Sequence, residues 1–311
     1  MIKRGVSEIV VVTAGVLLLG ACGGEDSGNG GKASASRSAA KPVSLQEYRA
    51  ALTGALEPLD SALRDLNKAK AYKGLSGRVT AVEEAAEQGA TKLGQVTPPA
   101  EVAGEHPPLV AALQRFGGEL RELGGQVGGR DLCTGSAVRT GLGRSDGTSA
   151  LRDAVKALTA KLPDEKIDLA LPGAGSKAAR PANGEFIRSG SRGGRGTLTV
   201  DNGGSDDAVV TLAKGSKPTI SVYIRKGKKF TVSGVSDGNY RIFFTGGTDW
   251  DRQARAFGRD CSFQKFEETM DFRTERTATQ IRWSTWKITL QPVAGGNAQT
   301  TDVPPGDFPT E

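Results

Sequence analysis

The sequence predicts an α+β chain of two domains, an N-terminal antiparallel helical bundle followed by an antiparallel β-sandwich. Three observations predict this. Leucines and other apolar residues recur at three- and four-residue steps from Leu45 to Leu162, which is the spacing of one helix face. From Thr197 the apolar period changes to two, which is the spacing of a strand. Turn-forming Gly, Asn and Asp then fall every eight to twelve residues or so, as in all-β sandwiches.

The first helical run is Leu45, Tyr48, Leu52, Leu56, Leu59, Leu63 and Leu66. Ser44 and Glu47 precede it with the spacing of a capping box, each side chain meeting the other's backbone N–H. Pro58 lies inside the run and is expected to kink or split the helix, because it lacks an N–H and crowds the preceding turn. Gly74 is expected to stop it. The second run is Val79, Val82, Ala86, Ala90, Leu93 and Val96, ended by Thr97-Pro98-Pro99. A third opens behind Pro107-Pro108, where proline suits a first turn, and continues through Leu109, Leu113, Phe116, Leu120, Leu123 and Val127. Its pairs Gly117-Gly118 and Gly124-Gly125 cost about 1 kcal/mol per residue against Ala, which a closely approaching neighbour helix would explain. A fourth run, Leu151, Val155, Leu158 and Leu162, is capped near Thr148 or Ser149 and stopped by Pro163. Residues 133–147 read as a loop with a short helical turn. Four single-striped helices bury their stripes together as an up-and-down bundle.

Residues 169–196 are rich in Pro, Gly, Ala and Arg and read as a linker. Arg188, Arg192, Gly193, Gly194 and Arg195 resemble the Arg-Gly-Gly segments that bind RNA. The rest of the sequence argues export, so a solvated linker is expected and no nucleic-acid partner. Beyond it alternate Leu198 and Val200; Val210 and Leu212; Ile220, Val222 and Ile224; Phe230 and Val232; Tyr240, Ile242 and Phe244. Phe266, Met270 and Phe272, then Ile281 and Trp283, then Trp286, Ile288 and Leu290 complete the set.

The N-terminus has the form of an export signal. Lys3 and Arg4 precede an apolar stretch over residues 9–19, which is short for a bilayer span of about twenty residues and of the length of a signal-peptide core. Leu19-Gly20-Ala21-Cys22 resembles the lipobox of bacterial lipoproteins of the actinobacterial type. The resemblance implies that the Cys22 thiol takes a diacylglyceryl group and that the chain is cut before it. Ordinary secretion with cleavage after Ala21 fits less well, because Leu19 is bulky where a small residue is needed. The expected organisation is a signal peptide at 1–21, a flexible tether at 22–43, the bundle at 44–168, a linker at 169–196 and the sandwich at 197–311. The tether lacks large apolar residues and spans about 25 Å as a random coil. Two acyl chains give stable anchoring, so the expected location is the extracytoplasmic face of the cell membrane, with membrane lipid as partner and an envelope protein or polysaccharide as a further one.

Residues 229–245 resemble a hairpin of the transthyretin-like domains found in many secreted proteins. The closing stretch from Trp286, with Gly295-Gly296-Asn297-Ala298 and Phe308-Pro309, resembles the ending of actinobacterial secreted β-sandwich proteins, a resemblance that implies no particular activity.

The formal charge is +6. Loss of Lys3, Arg4 and Glu8 with the leader removes two cations and one anion and leaves +5. The charges are mixed along the chain, without a basic block. With Cys22 acylated, Cys133 and Cys261 remain, an even pair in an oxidising compartment. A bond between them would staple the two domains; two separate buried thiols are the other reading.

Catalytic motifs are scarce. Gly234-Val235-Ser236-Asp237-Gly238 matches the Gly-x-Ser-x-Gly pattern, but a hydrolase needs a helix after the serine and a downstream base; a strand follows, and the single His106 lies upstream. No phosphate loop, dinucleotide fingerprint or metal spacing appears, so no cofactor, metal or catalytic residue is expected and a non-enzyme is favoured. Asp249-Trp250-Asp251 is a candidate ligand or calcium loop, two carboxylates beside an aromatic, with Asp201, Asp206 and Asp207 within possible reach. Calcium wants six to eight oxygens, so Trp250 packed under the sheet edge, with turn-capping aspartates, is the plainer expectation. The function expected is extracytoplasmic binding or scaffolding. A solute-binding lipoprotein of a transport system is the alternative, although it calls for alternating strands and helices that are not seen; an envelope hydrolase comes third.

Overall fold

A computed structural model of the 311-residue chain describes residues 41–173, 179–190, 192–291 and 298–309. The signal, the lipobox with Cys22, and most of the 295–298 turn lie outside the described residues. Those from Lys41 onward fall in one compact unit, of α+β class: five α-helices, then a largely antiparallel β region.

The helices are α1 (Leu45–Lys68), α2 (Leu75–Gly94), α3 (His106–Gly129), α4 (Gly135–Gly143) and α5 (Asp146–Lys161). The Ser44–Glu47 capping box is formed, with the Ser44 N–H donating to the Glu47 carboxylate at 2.8 Å. Pro58 does not split α1. Its ring is exposed, and the Gly54 carbonyl that proline leaves without its usual donor accepts instead from Lys92 Nζ of α2 at 3.3 Å,. Gly74 is not the stop of α1, which ends at Lys68; it is the N-cap of α2, with φ +73°, a left-handed conformation open to glycine. Ser145 rather than Thr148 caps α5, accepting the Thr148 N–H at 3.1 Å.

The apolar stripes of all five helices join in one buried cluster. A Cβ at Gly117 would stand 3.1 Å from the Glu87 Cγ of α2, whereas Gly118 and Gly125 face open space. Close helix approach therefore accounts for one glycine of the two pairs. The residue that α4 needs small is Gly135, where a Cβ would collide with the carbonyl of Ala69 at the end of α1.

The strands are β1 (Phe186–Ser189), β2 (Gly196–Asn202), β3 (Asp207–Lys214), β4 (Lys217–Ile224), β5 (Lys228–Val235), β6 (Gly238–Asp251), β7 (Ala256–Phe266), β8 (Met270–Phe272), β9 (Thr274–Arg276), β10 (Ile281–Trp283), β11 (Thr285–Thr289) and β12 (Thr300–Asp302). The large sheet runs β1-β4-β3-β6-β7-β12, with β8 on the start of β6; β11-β2-β5 form a small sheet and β9-β10 a hairpin. One pair departs from the antiparallel rule expected: β11 lies parallel to β2, Trp286 opposite Leu198 and Ile288 opposite Val200. The chain reaches that edge through the β9–β10 hairpin, which turns it round.

The segment expected as a linker is largely docked. Leu169 and Leu171 pack on the helical cluster, and β1 pairs with β4. The Arg-Gly-Gly stretch lies along β5: the Gly194 N–H donates to the Gly234 carbonyl at 3.0 Å, and Arg192 stacks 4.0 Å from the Phe186 ring centroid. Glycine permits this approach, since a Cβ at Gly194 would strike the Val235 carbonyl.

The large sheet is buried on both faces. Val210, Leu212, Ile220, Val222 and Ile242 cluster with Leu198, Val200, Val232 and Ile288 of the small sheet. Val209, Tyr223, Phe243, Trp250 and Phe257 cluster on the other face, joined by Tyr72 from the helical part and by Val303 and Phe308.

Gly135→Ala is expected to destabilise the fold by about 1–3 kcal/mol through overpacking, read as a fall of roughly 2–4 °C in Tm per kcal/mol. Gly118→Ala, in open space on α3, is expected to raise stability by up to about 1 kcal/mol. Thermal melts of both variants check the pair.

Candidate functional site

The site is assembled where the helical part meets the large sheet. Between α3 and α4 the chain runs extended beside the first half of β7, whose second half is taken by β12. Leu132 bridges to Arg259, the Cys133 N–H donates to the Gly258 carbonyl at 2.8 Å, and the Cys261 N–H donates to the Arg130 carbonyl at 3.1 Å. Cys133 and Cys261 are disulfide-bonded, with 6.3 Å between their Cα atoms. Both are buried in the cluster under the sheet.

Helix α4 follows at once. Thr134 caps it, accepting the Ala137 N–H at 3.3 Å. Its Arg139 reaches the end of α1 and donates to the carbonyls of Asn67 and Ala69 at 3.2 and 2.9 Å, satisfying acceptors that a helix end leaves open. Burial lowers the Arg139 pKa, opposed by the Asp251 charge. On the sheet side, Asp251 ends β6. Its carboxylate accepts the N–H groups of Gln253 and Ala254 at 2.9 Å each, closing the β6–β7 turn, and also accepts from the Ser136 hydroxyl of α4. One carboxylate thus fixes a turn and a helix together.

Between α4 and the β6–β7 hairpin lies a cleft of about 610 Å³. Ser136, Thr140 and Arg144 form one wall; Asp251, Arg252 and Arg259 form the other. Arg259 is engaged by Asp249 at 2.7 Å and Arg252 by Glu185 at 2.7 Å. Arg144 is exposed, with no hydrogen bond or ion pair for its guanidinium among the described residues. The cleft offers hydroxyls, guanidinium groups and carboxylates, a set suited to polar recognition. Neither Ser236 nor His106 lines it.

The Asp249-Trp250-Asp251 loop has its parts in different environments. Trp250 is only 3% exposed, T-stacked on Tyr223 and Phe257 with ring centroids at 5.4 and 5.1 Å, so its face is not offered to a sugar. Asp249 pairs with Arg259, and Asp251 closes its turn. No cluster of three or more His, Cys, Asp or Glu able to hold a metal occurs among the described residues.

Asp207, at the neighbouring end of β3, holds a second network. It accepts from Arg180 Nε at 2.6 Å, from the Tyr223 hydroxyl at 2.5 Å and from the Lys226 N–H at 2.9 Å. Burial alone would raise its pKa; the Arg180, Tyr223 and Lys226 bonds together outweigh burial and hold it down at about 2. Burial first, then the Asp207 bond and charge, push the Tyr223 phenol up, and the Asp207 bond raises Arg180. The network ties Arg180, ahead of β1, to the end of the interior strand β3.

His106 is buried at the entrance of α3, its Nδ1 2.9 Å from the Tyr48 hydroxyl. Burial lowers its pKa, and burial with the Glu105 charge pushes the Tyr48 phenol up to about 12. The imidazole and phenol form a structural pair within the helical core. Ser236 lies between β5 and β6, with a strand after it rather than a helix.

Of the residues singled out in the sequence, Cys133, Cys261, Asp249, Trp250 and Asp251 meet at this junction. Ser136, Arg139, Thr140 and Arg144 were not singled out; Asp207, named as within reach of the loop, instead engages Arg180, Tyr223 and Lys226. A polar residue on a short glycine-flanked helix gives no periodic signal, so only the tertiary arrangement reveals it. No protein family, curated protein or solved structure matches the chain.

Asp207 has a pH signature. Its folded pKa lies below the ordinary 3.8, so its contribution is complete above about pH 4 and is lost as pH falls toward about 2. The depression corresponds to about 2 kcal/mol. Asp207→Asn is expected to lower stability at neutral pH by about that amount and to flatten the acid limb over this window; chemical denaturation at several pH values reads both.

Proposed function

We propose that the chain is a lipid-anchored extracytoplasmic binding or scaffolding protein of the cell envelope, without catalytic activity. In this reading the helices make an antiparallel bundle, the strands make a sandwich, and the junction cleft is the surface offered to an envelope protein or polysaccharide. The observation that carries the proposal is Leu19-Gly20-Ala21-Cys22 behind a charged and then apolar leader. The Cys133–Cys261 bond supports it, because disulfides persist in oxidising compartments. The cleft suits polar binding: its carboxylates are engaged in turn and ion-pair bonds, and the Ser136 hydroxyl donates to Asp251, a carboxylate already committed to closing the β6–β7 turn.

The mechanism is display. Two acyl chains on Cys22 fix the protein at the bilayer, the tether links the folded part to that anchor, and Arg144 with Thr140 engages the partner. Growth with a labelled fatty acid is expected to label the wild-type chain in the membrane fraction, and Cys22→Ala is expected to abolish the label. An unlabelled wild-type chain, or one that stays in the cytosol with its leader attached, overturns the proposal.

A further inference from the structure

The β9–β10 hairpin projects an apolar face that the protein itself leaves uncovered. Ile281, Trp283 and Trp286 are the exposed large hydrophobic residues among those described, at 41, 47 and 38%. They are clustered in six residues of sequence, unlike the scattered apolar side chains normal on a surface. Alternation shows why they are uncovered. Phe272 of β8 is fully buried in the inter-sheet cluster. Two and four residues on, Thr274 and Arg276 keep the same face, and their register partners across the hairpin are Trp283 and Ile281. The hairpin thus carries the core-facing side beyond the core. Trp286 is fixed next to it, its indole N–H donating to the Asp271 carbonyl at 3.1 Å.

The projection is rigidly built. Asp237 accepts the N–H and hydroxyl of Thr274 at 2.9 and 2.8 Å, and the turn is closed by the Thr277 N–H to the Gln280 carbonyl at 2.9 Å. Around it the charge is cationic. Arg276 lies directly across from Ile281. Arg282, on the other face of the hairpin, lies across from Glu275 in register and donates to the neutral Gln280 amide; no ion pair links it, Arg276 or Lys287 to a carboxylate among the described residues,. Arg273 is paired with Asp271 at 2.5 Å, which leaves Glu275 as the opposing charge on the hairpin.

We propose that this hairpin, with Trp286, docks on an anionic phospholipid surface. Indole rings settle at the headgroup level of a bilayer, where one end is apolar and the other wet. Unpaired Arg and Lys beside them gain from the negative potential of anionic lipid. An aliphatic Ile281, two residues before Trp283 on the turn side of the hairpin, has no use in stacking on a sugar but fits an acyl boundary. The proposal deepens the anchored reading and rests on it: the tether would then hold a body that also lies against the membrane.

The whole chain contains three tryptophans, and Trp250 is buried, so quenching by brominated acyl chains reports Trp283 and Trp286. The full-length chain in phosphatidylglycerol vesicles bearing brominated lipid is expected to lose much of its emission. Trp283→Phe is expected to cut the quenched emission by about half, as one of two outward indoles is removed. Arg276→Gln with Arg282→Gln and Lys287→Gln is expected to bring it down to the level in neutral phosphatidylcholine vesicles. Unchanged Trp250 emission shows that these exposed-site variants remain folded. Unquenched emission from vesicle-bound protein, or equal quenching in Trp283→Phe, overturns the proposal. So does an emission shift with a soluble anionic polysaccharide but no quenching by lipid. The mass at Cys22, read on the same sample, separates the two readings: an unacylated cysteine overturns the anchor alone, because quenching reports indole depth whatever holds the chain at the vesicle.

Discussion

The pairing of residues 130–133 with the edge of β7, locked by the Cys133–Cys261 bond, is the constraint on which the rest depends. Each half has its own buried cluster, one of Leu and Val from five helices and one between the two sheets. The third cluster, which includes Cys133, Cys261, Trp250 and Tyr72, belongs to both halves. Backbone hydrogen bonds set the register of that contact, and the disulfide limits how far it can open. The bond closes a span of 128 residues, for which the chain-entropy model gives about 5 kcal/mol as an upper figure.

Everything at the cleft inherits this constraint. Helix α4 begins two residues after Cys133, so its direction is set where the strand pairing ends. Arg139 then locks α4 to the end of α1, and Ser136 meets Asp251 on the sheet. The cleft walls therefore come from elements far apart in sequence, held by one short segment. Preorganised walls reduce the ordering cost of binding, which suits a display protein with a polar ligand surface. The β9–β10 hairpin, by contrast, is tied to the sheet through Asp237, which accepts the Thr274 N–H.

The long helices were legible because burial and sequence period coincide: Leu52, Leu59, Leu63, Leu109 and Leu120 are all buried as their spacing implies. Helix α4 was not, because nine residues with glycine at 135, 141 and 143 give only Val138 and Leu142 as a stripe. Strand β1 was hidden by its Arg- and Gly-rich surroundings, and β9 and β12 are too short and exposed to show alternation. Trp250 illustrates a subtler loss. Along β6, Phe244 faces the inter-sheet cluster, and strict alternation would send Trp250 there too. The register shifts between Gly246 and Thr248, where Asp260 and Cys261 of β7 both stand opposite Gly247 as at a bulge, and beyond it Trp250 lies in the cluster on the other face. Gly247 makes this possible, with φ +155° and a Cβ position 2.7 Å from the Arg259 carbonyl. A single extra residue in a ladder leaves little trace in composition, yet it decides what the Asp-Trp-Asp loop presents.

Amide hydrogen exchange at Cys133 and Cys261 tests the junction most directly. Their N–H groups donate to Gly258 and Arg130, so in the oxidised protein both should exchange only through global unfolding, at the rate of core amides such as those of β3 and β6. After replacement of both cysteines by serine, these two amides should lose protection ahead of either core. Exchange at loop-like rates in the oxidised protein, while both cores stay protected, would contradict the account, because it would mean that the halves separate freely and the cleft has no fixed walls.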